Sequence, residues 1–316
     1  MRAYVNVNNG RFPNVNFFLA WEGFNRMGYS VTLFEEKDIP TLDITLDTPV
    51  FAGVTIFRKI IDKLGINYPP FDCYPDVLTP YYRRSFRKST MGVEKEKFYK
   101  DGVRVFVKPV LPKQFVGRVW NSIADLILTT NVPDTAEVWV CEPVEILSEF
   151  RVYVYDGDIL GVKHYCGDWN LTPPKEFIER VVKTYKSSPI AYGVDIGINK
   201  QHGFVIEVND GCNLGNYGLD SINYGRMIVS RWFEIMADSS VNKKIDADIK
   251  ESERYDKEYG VGNRFSDARK KMYFEPFMIG SRNHKDILVK NASDMLKLQA
   301  MKTFVKESKE NYDTGN

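Results

Sequence analysis

Residues 149–208 hold the pattern that most restricts what this chain can fold into. Two β-rich runs, 149–155 and 159–165, flank Asp156-Gly157-Asp158, and a second pair, 191–196 and 204–208, flanks a turn over 197–203. Short turn-forming gaps between such runs read as hairpins. Between the two pairs, residues 173–187 place Phe177, Val181, Val182 and Tyr185 on one face of a helix. Hairpins plus a covering helix predict a mostly antiparallel α+β unit. Upstream, 103–107 and 137–141 read as further strands. Residues 81–91 are basic and read as a helix, and Tyr99-Lys100-Asp101-Gly102 as a hairpin turn. Residues 227–236 form an apolar helix.

The start of the chain has a different rhythm. Residues 2–7, 29–34 and 48–53 are strand-like, and 15–27 and 54–64 are helical with glycines at 28 and 65 to end them. This alternation predicts a small parallel α/β domain over 1–78, closed by a Pro- and Tyr-rich linker at 67–80. An α+β domain is expected over 79–237. Residues 238–316 are of mixed charge with few large apolar residues before Tyr273, and read as a helical or partly disordered extension.

Composition removes several classes of function. Lys+Arg is 43 against Asp+Glu 42, so no global field favours nucleic acid or an anionic membrane. No run approaches the roughly 20 apolar residues of a spanning helix, and the N-terminus reads as a strand with no signal-peptide core. Cys73, Cys141, Cys166 and Cys212 form no CxxC pair and there are three His, which argues against a zinc cluster. A cytoplasmic protein with reduced thiols is expected.

The chemistry gathers at the last hairpin. In Ile206-Glu207-Val208-Asn209 the alternation of a strand puts Glu207 and Asn209 on one face, and Asp195 lies on the adjacent strand. Two carboxylates and an amide oxygen suit Mg²⁺, which binds through one or two carboxylates plus substrate phosphates; a solvated hairpin is the plain alternative. Lys108 ends a β-branched strand, where it can reach a phosphate as a point charge. Glu142 follows the strand ending at Cys141, whose backbone can meet an adenine edge while the acid accepts from a ribose or amino group. Glu149 and Arg151 share a strand face, and Lys163 lies on the return strand of that hairpin.

The order strand-Lys-Pro, strand-Glu, Glu-x-Arg, Lys, Asp, Glu-x-Asn resembles the ATP-grasp family over roughly residues 80–235, with a leading segment similar to the small domain that precedes the grasp. D-alanine–D-alanine ligases and glutathione-synthetase-like enzymes show the most similar familiar pattern. The resemblance implies an ATP-grasp fold of two α+β subdomains clasping ATP. It implies nucleotide binding by Lys108, Cys141, Glu142, Glu149 and Lys163, and magnesium at Asp195, Glu207 and Asn209. Where those ligases carry an arginine, two residues before the metal aspartate, this chain has Gly193. Arg151 stands on a neighbouring strand, as in an offshoot clade found in bacteria and phages, and with Lys163 is the expected catalytic pair.

The activity so implied is an ATP-dependent carboxylate–amine ligase. A carboxylate from a small molecule, peptide or protein is phosphorylated to an acyl-phosphate with release of ADP, and an amine then displaces the phosphate. Two alternatives stand beside it. One is a non-catalytic nucleotide- or peptide-binding module on the same fold. The other is a lysine-nucleotidyl nucleic-acid ligase, for which Lys100-Asp101-Gly102 lacks the intervening residue of Lys-x-Asp-Gly. No membrane or nucleic-acid partner is expected, and a homodimer is left open.

Overall fold

The structure is a computed structural model in which residues 1–111 and 114–237 are described. The expected extension 238–316 lies outside the described residues. Near the N-terminus, β1 (Arg2–Asn6), β2 (Ser30–Phe34) and β3 (Val50–Phe51) form a parallel sheet in the order β2-β1-β3. Helix α1 (Val15–Arg26) crosses from β1 to β2, capped by the Asn14 side chain accepting from the Asn16 N–H, and buries Phe17, Ala20 and Phe24. Helix α2 (Val54–Lys63) follows β3 and buries Phe57, Ile60 and Ile61. This is the small parallel unit the sequence alternation predicts.

A second, antiparallel sheet has the order β4-β7-β5-β6, from β4 (Phe86–Thr90), β5 (Val105–Pro109), β6 (Arg118–Trp120) and β7 (Glu137–Cys141). Two expectations fail here. Helix α3 covers only Thr79–Tyr82, ended by Arg83 at φ 52°, and the rest of the expected 81–91 helix is β4. The open edge of β7 and the packing of Phe86 on Tyr74, ring centroids 4.3 Å apart, outweigh local helix preference. Residues 99–102 do not turn a hairpin either. They close α4 (Met91–Asp101), with Gly102 at φ 62° donating its N–H to the Phe98 carbonyl. An αL glycine after a helix and one in a turn look alike in sequence. The short α5 (Ile123–Ile127) completes this unit.

The third sheet, order β11-β10-β8-β9, contains the two predicted hairpins: β8 (Ser148–Tyr155) with β9 (Asp158–Gly167), and β10 (Ala191–Ile198) with β11 (Gly203–Asp210). Asp156 and Gly157, at φ 51° and 87°, make the tight turn. On one face α6 (Lys175–Thr184) packs Phe177, Val181 and Val182 against Val152, Val154, Val194, Val205 and Val208. On the other, α1 and a helix over 221–237, α7, pack on Tyr153 and Ala191. The α1–α7 crossing is very close: a Cβ on Gly23 would stand 2.0 Å from the Ser221 backbone oxygen.

Candidate nucleotide and metal site

Directly opposed residues of antiparallel strands share a face. Lys163 lies opposite Arg151, Arg151 opposite Asp195, and Asp195 opposite Glu207. These four side chains therefore form one row across β9, β8, β10 and β11. The next row is Gly161, Tyr153, Gly193 and Asn209. Five of the sequence-predicted residues thus meet on one sheet face.

Glu207 reaches that face through a β-bulge. Ile196 pairs with Val205, whereas Asp195 pairs with Glu207, so Ile206 is the extra residue. Val205 and Val208 are both fully buried in the core beneath α6. In an unbroken strand Glu207 would share the face of Val205. The extra residue turns it over, a use of bulges common beside active sites.

Arg151 and Asp195 form a bidentate pair, with Nε donating to Oδ1 and Nη2 to Oδ2, both at 2.7 Å. Their side chains are only 7% and 5% exposed, so the pair is buried. Nη1 donates to the Gly215 carbonyl at 3.3 Å. Burial works against the Arg151 charge, yet its hydrogen bonds and proximity to Asp195 raise its pKa further. Burial pushes the Asp195 carboxyl up; Arg151 opposes that rise, and Glu207 and Glu149 add to it. Gly193 makes room for this arginine: a Cβ there would lie 3.3 Å from Arg151 Cδ and 2.9 Å from Leu214 Cδ1.

The loop after β11 folds over the pair. Tyr153 Oη donates to the Gly215 carbonyl at 2.9 Å and accepts from the Tyr217 N–H at 2.8 Å. The Tyr217 ring then lies 4.9 Å from the Arg151 guanidinium and stacks on Tyr165 at 4.5 Å. Tyr165 in turn donates to Glu149 Oε2 at 2.6 Å. These tyrosines carried no motif in the sequence, because their roles come from strand register and a loop return.

Lys108 approaches from the second sheet. Its Nζ pairs with Glu207 Oε2 and lies 5.1 Å from the Tyr74 ring. Burial disfavours the ammonium, but the field of Glu207 outweighs it and the Lys108 pKa is raised. Lys163, half-buried, faces the cleft with no ion-pair partner among the described residues. Glu142 is exposed and accepts weakly from the Ser85 N–H at 3.5 Å. Cys141 is buried and ends a strand paired on both sides, with Phe86 and with Phe106, so β7 offers no free backbone edge along its length. Behind the site a buried clamp fixes the end of β11. Arg231 of α7 donates to Asp210 at 2.8 Å and 3.0 Å, and Tyr68 donates to the same carboxylate.

The donor set fits a hard divalent cation. Asn209 Nδ2 donates to Asp195 Oδ2 at 3.2 Å, which leaves the Asn209 carbonyl oxygen for a ligand, and Glu207 Oε1 is likewise outside the Lys108 contact. Both oxygens of Asp195 are engaged by Arg151. No three His, Cys, Asp or Glu converge in metal-binding geometry among the described residues, so much of the coordination shell would come from phosphates and water.

Comparisons with known proteins bear on this arrangement. Residues 81–227 match the model of the ATP-grasp domain, R2K clade family 2. No curated protein sequence matches the chain. The structure of D-cycloserine synthetase DcsG is similar, with a TM-score of 0.51 at 11% identity over 73% of this chain and 100% of that one. The D-alanine–D-alanine ligase of Bacillus anthracis complexed with ATP gives 0.48 at 14% identity over 75% and 98%. The N5-carboxyaminoimidazole synthetase of Staphylococcus aureus gives 0.49 at 13% identity over 73% and 77%. The likeness to D-cycloserine synthetase DcsG, at 11% identity, is one of fold. With two antiparallel α+β units facing each other across Lys108 and Glu207, and the family model matching the segment that builds both, residues 81–227 of the chain form an ATP-grasp domain.

Proposed function

We propose that the chain is an ATP-dependent carboxylate–amine ligase that works through an acyl-phosphate. The observation that carries this reading is the meeting of Lys108, from one sheet, with Glu207, Asp195, Asn209 and Arg151 on the other. A cation and a set of hard oxygens face one point between two rigid sheets, as transfer of a phosphoryl group requires.

Each residue then has a task. Glu207 and Asn209 offer oxygens for Mg²⁺, which when bound neutralises phosphate charge. Lys108 exchanges Glu207 for a phosphate oxygen, and Lys163 adds positive charge from the edge strand. Glu142 and Glu149 accept from the nucleoside, Glu149 while also held by Tyr165. Asp195 holds Arg151 and Asn209 in place, and Arg151 presents the rest of its fork to charge developing on the acyl group. The substrate carboxylate attacks the γ-phosphorus, ADP leaves, and an amine then displaces phosphate to form the amide. Catalysis of this kind is mainly positioning and electrostatics and requires no Ser, Cys or His nucleophile.

Thermal unfolding with and without Mg-ATP, followed by an ADP-release screen over amino-acid, peptide and protein acceptors, tests the reading. A Mg-dependent rise in Tm that Glu207→Gln abolishes, with ADP released for some acceptor, is the expected result. The engagement of Arg151 by Asp195 favours a second reading, a nucleotide-binding module without turnover. Nucleotide binding with no ADP from any acceptor would select it.

A further inference from the structure

The short segment 83–85 runs from α3 into β4 and is one of two connections to the second sheet; the other leaves at Cys141, which pairs with Phe86. Both connections therefore lie at the same end, and Arg83, at φ 52°, marks the turn into it. Arg84 stands in this hinge. Its Nη1 donates to the Val205 carbonyl at 3.2 Å and its Nη2 to the Ile206 carbonyl at 2.9 Å. The guanidinium is flanked by the rings of Phe86, 4.6 Å away, and Phe204, 5.3 Å away. Gly197 gives the Phe204 ring its space, since a Cβ there would meet it at 2.7 Å.

Val205 and Ile206 are the residues of the bulge that turns Glu207 toward the cleft. A bulge breaks the ladder and needs partners for the backbone groups it displaces. A planar guanidinium holds its two donors in a fixed geometry, pre-organised to bridge two successive carbonyls, whereas an ammonium on a flexible stem is not. We infer that Arg84 is a positioning residue: it clamps the bulge at Val205–Ile206 and so aims Glu207, and it ties that aim to the hinge of the second sheet. This rests on the reading of Glu207 as a metal-facing residue.

The full chain and its Arg84→Met, Arg84→Lys and Glu207→Gln variants are saturated with a non-hydrolysable ATP analogue, and Mn²⁺ is titrated by electron paramagnetic resonance. Analogue affinity and Tm are measured in parallel. Loss of a residue that orients a metal ligand lowers metal affinity by about 10–100-fold. The expected result is a loss of that size in Arg84→Met with a native-like melting transition, a smaller loss in Arg84→Lys, and the largest in Glu207→Gln. Wild-type Mn²⁺ affinity in Arg84→Met beside a loss in Glu207→Gln overturns the role of Arg84 and leaves the reading of Glu207 standing. The same holds if Arg84→Met weakens only the analogue, which would make Arg84 a nucleotide contact. Equal Mn²⁺ binding by wild type and Glu207→Gln overturns the reading of Glu207 and the inference with it. Where Arg84→Met does not fold, Arg84→Lys decides: unchanged Mn²⁺ affinity there refutes the need for the fork.

Discussion

Removing one half of the Arg151–Asp195 pair gives the sharpest test of how the site is held. Asp195→Ala would leave a guanidinium that is 7% exposed without its counter-charge and without two hydrogen bonds of 2.7 Å. Breaking a buried pair on one side costs roughly 3–5 kcal/mol, because the remaining charge stays desolvated. For a domain of this size each kcal/mol moves Tm by about 2–4 °C, so a fall of roughly 6–20 °C is expected. Arg151→Met should lose a similar amount. The double variant Arg151→Met/Asp195→Ala, which leaves no stranded charge, should lose less than the sum, with a coupling of roughly 1–3 kcal/mol. The assay is thermal and urea unfolding of all four proteins at low salt and in 1 M NaCl, where a buried pair is little screened. A loss under about 1 kcal/mol in Asp195→Ala, the range of exposed pairs, or strictly additive losses, would refute the claim that this pair anchors the cleft.

Other outcomes follow from the same geometry. Lys108→Ala should weaken binding of Mg-ATP, read by calorimetry, and unchanged affinity would remove Lys108 from the nucleotide site. Gly23→Ala places a Cβ 2.0 Å from the Ser221 oxygen, so it should destabilise by roughly 1–3 kcal/mol in urea. At an open helical position that substitution would instead stabilise, by about 1 kcal/mol, so the sign alone decides. Burial acts to raise the Asp210 carboxyl, but Arg231 and the hydrogen bonds of Tyr68 and Cys212 outweigh it and hold its pKa below the ordinary carboxylate value. Its stabilisation is then present above that ordinary value and lost as pH falls through the lower, folded-state value. The acid limb of a Tm–pH profile should flatten in Asp210→Asn, and an identical limb would count against the clamp.

Much was legible in the sequence because it depended on local periodicity. The turn at Asp156-Gly157 and the apolar face of Phe177, Val181 and Val182 specify strand, turn and helix from neighbours along the chain. The alternation of Glu207 and Asn209 placed them on one face, and the order of acids and lysines carried the family resemblance. Two signals misled, since the αL glycine at 102 serves a helix end, and the basic 81–91 stretch becomes a strand only because β7 offers it an edge. Val205 and Val208, three apart yet both buried, are the trace the bulge leaves in sequence.

What the sequence by itself determined is the set of elements and which charged residues they carry. Only the tertiary structure decided how those charges are spent. Arg151 lies against Asp195 and beneath Tyr217, Glu149 is tied to Tyr165, and Lys108 spans from one sheet to Glu207 on another. The physical reason is range. Helices, strands and turns follow from preferences of a few adjacent residues, whereas an ion pair between residues 99 positions apart exists only once two sheets have packed and excluded the water that would otherwise solvate each charge.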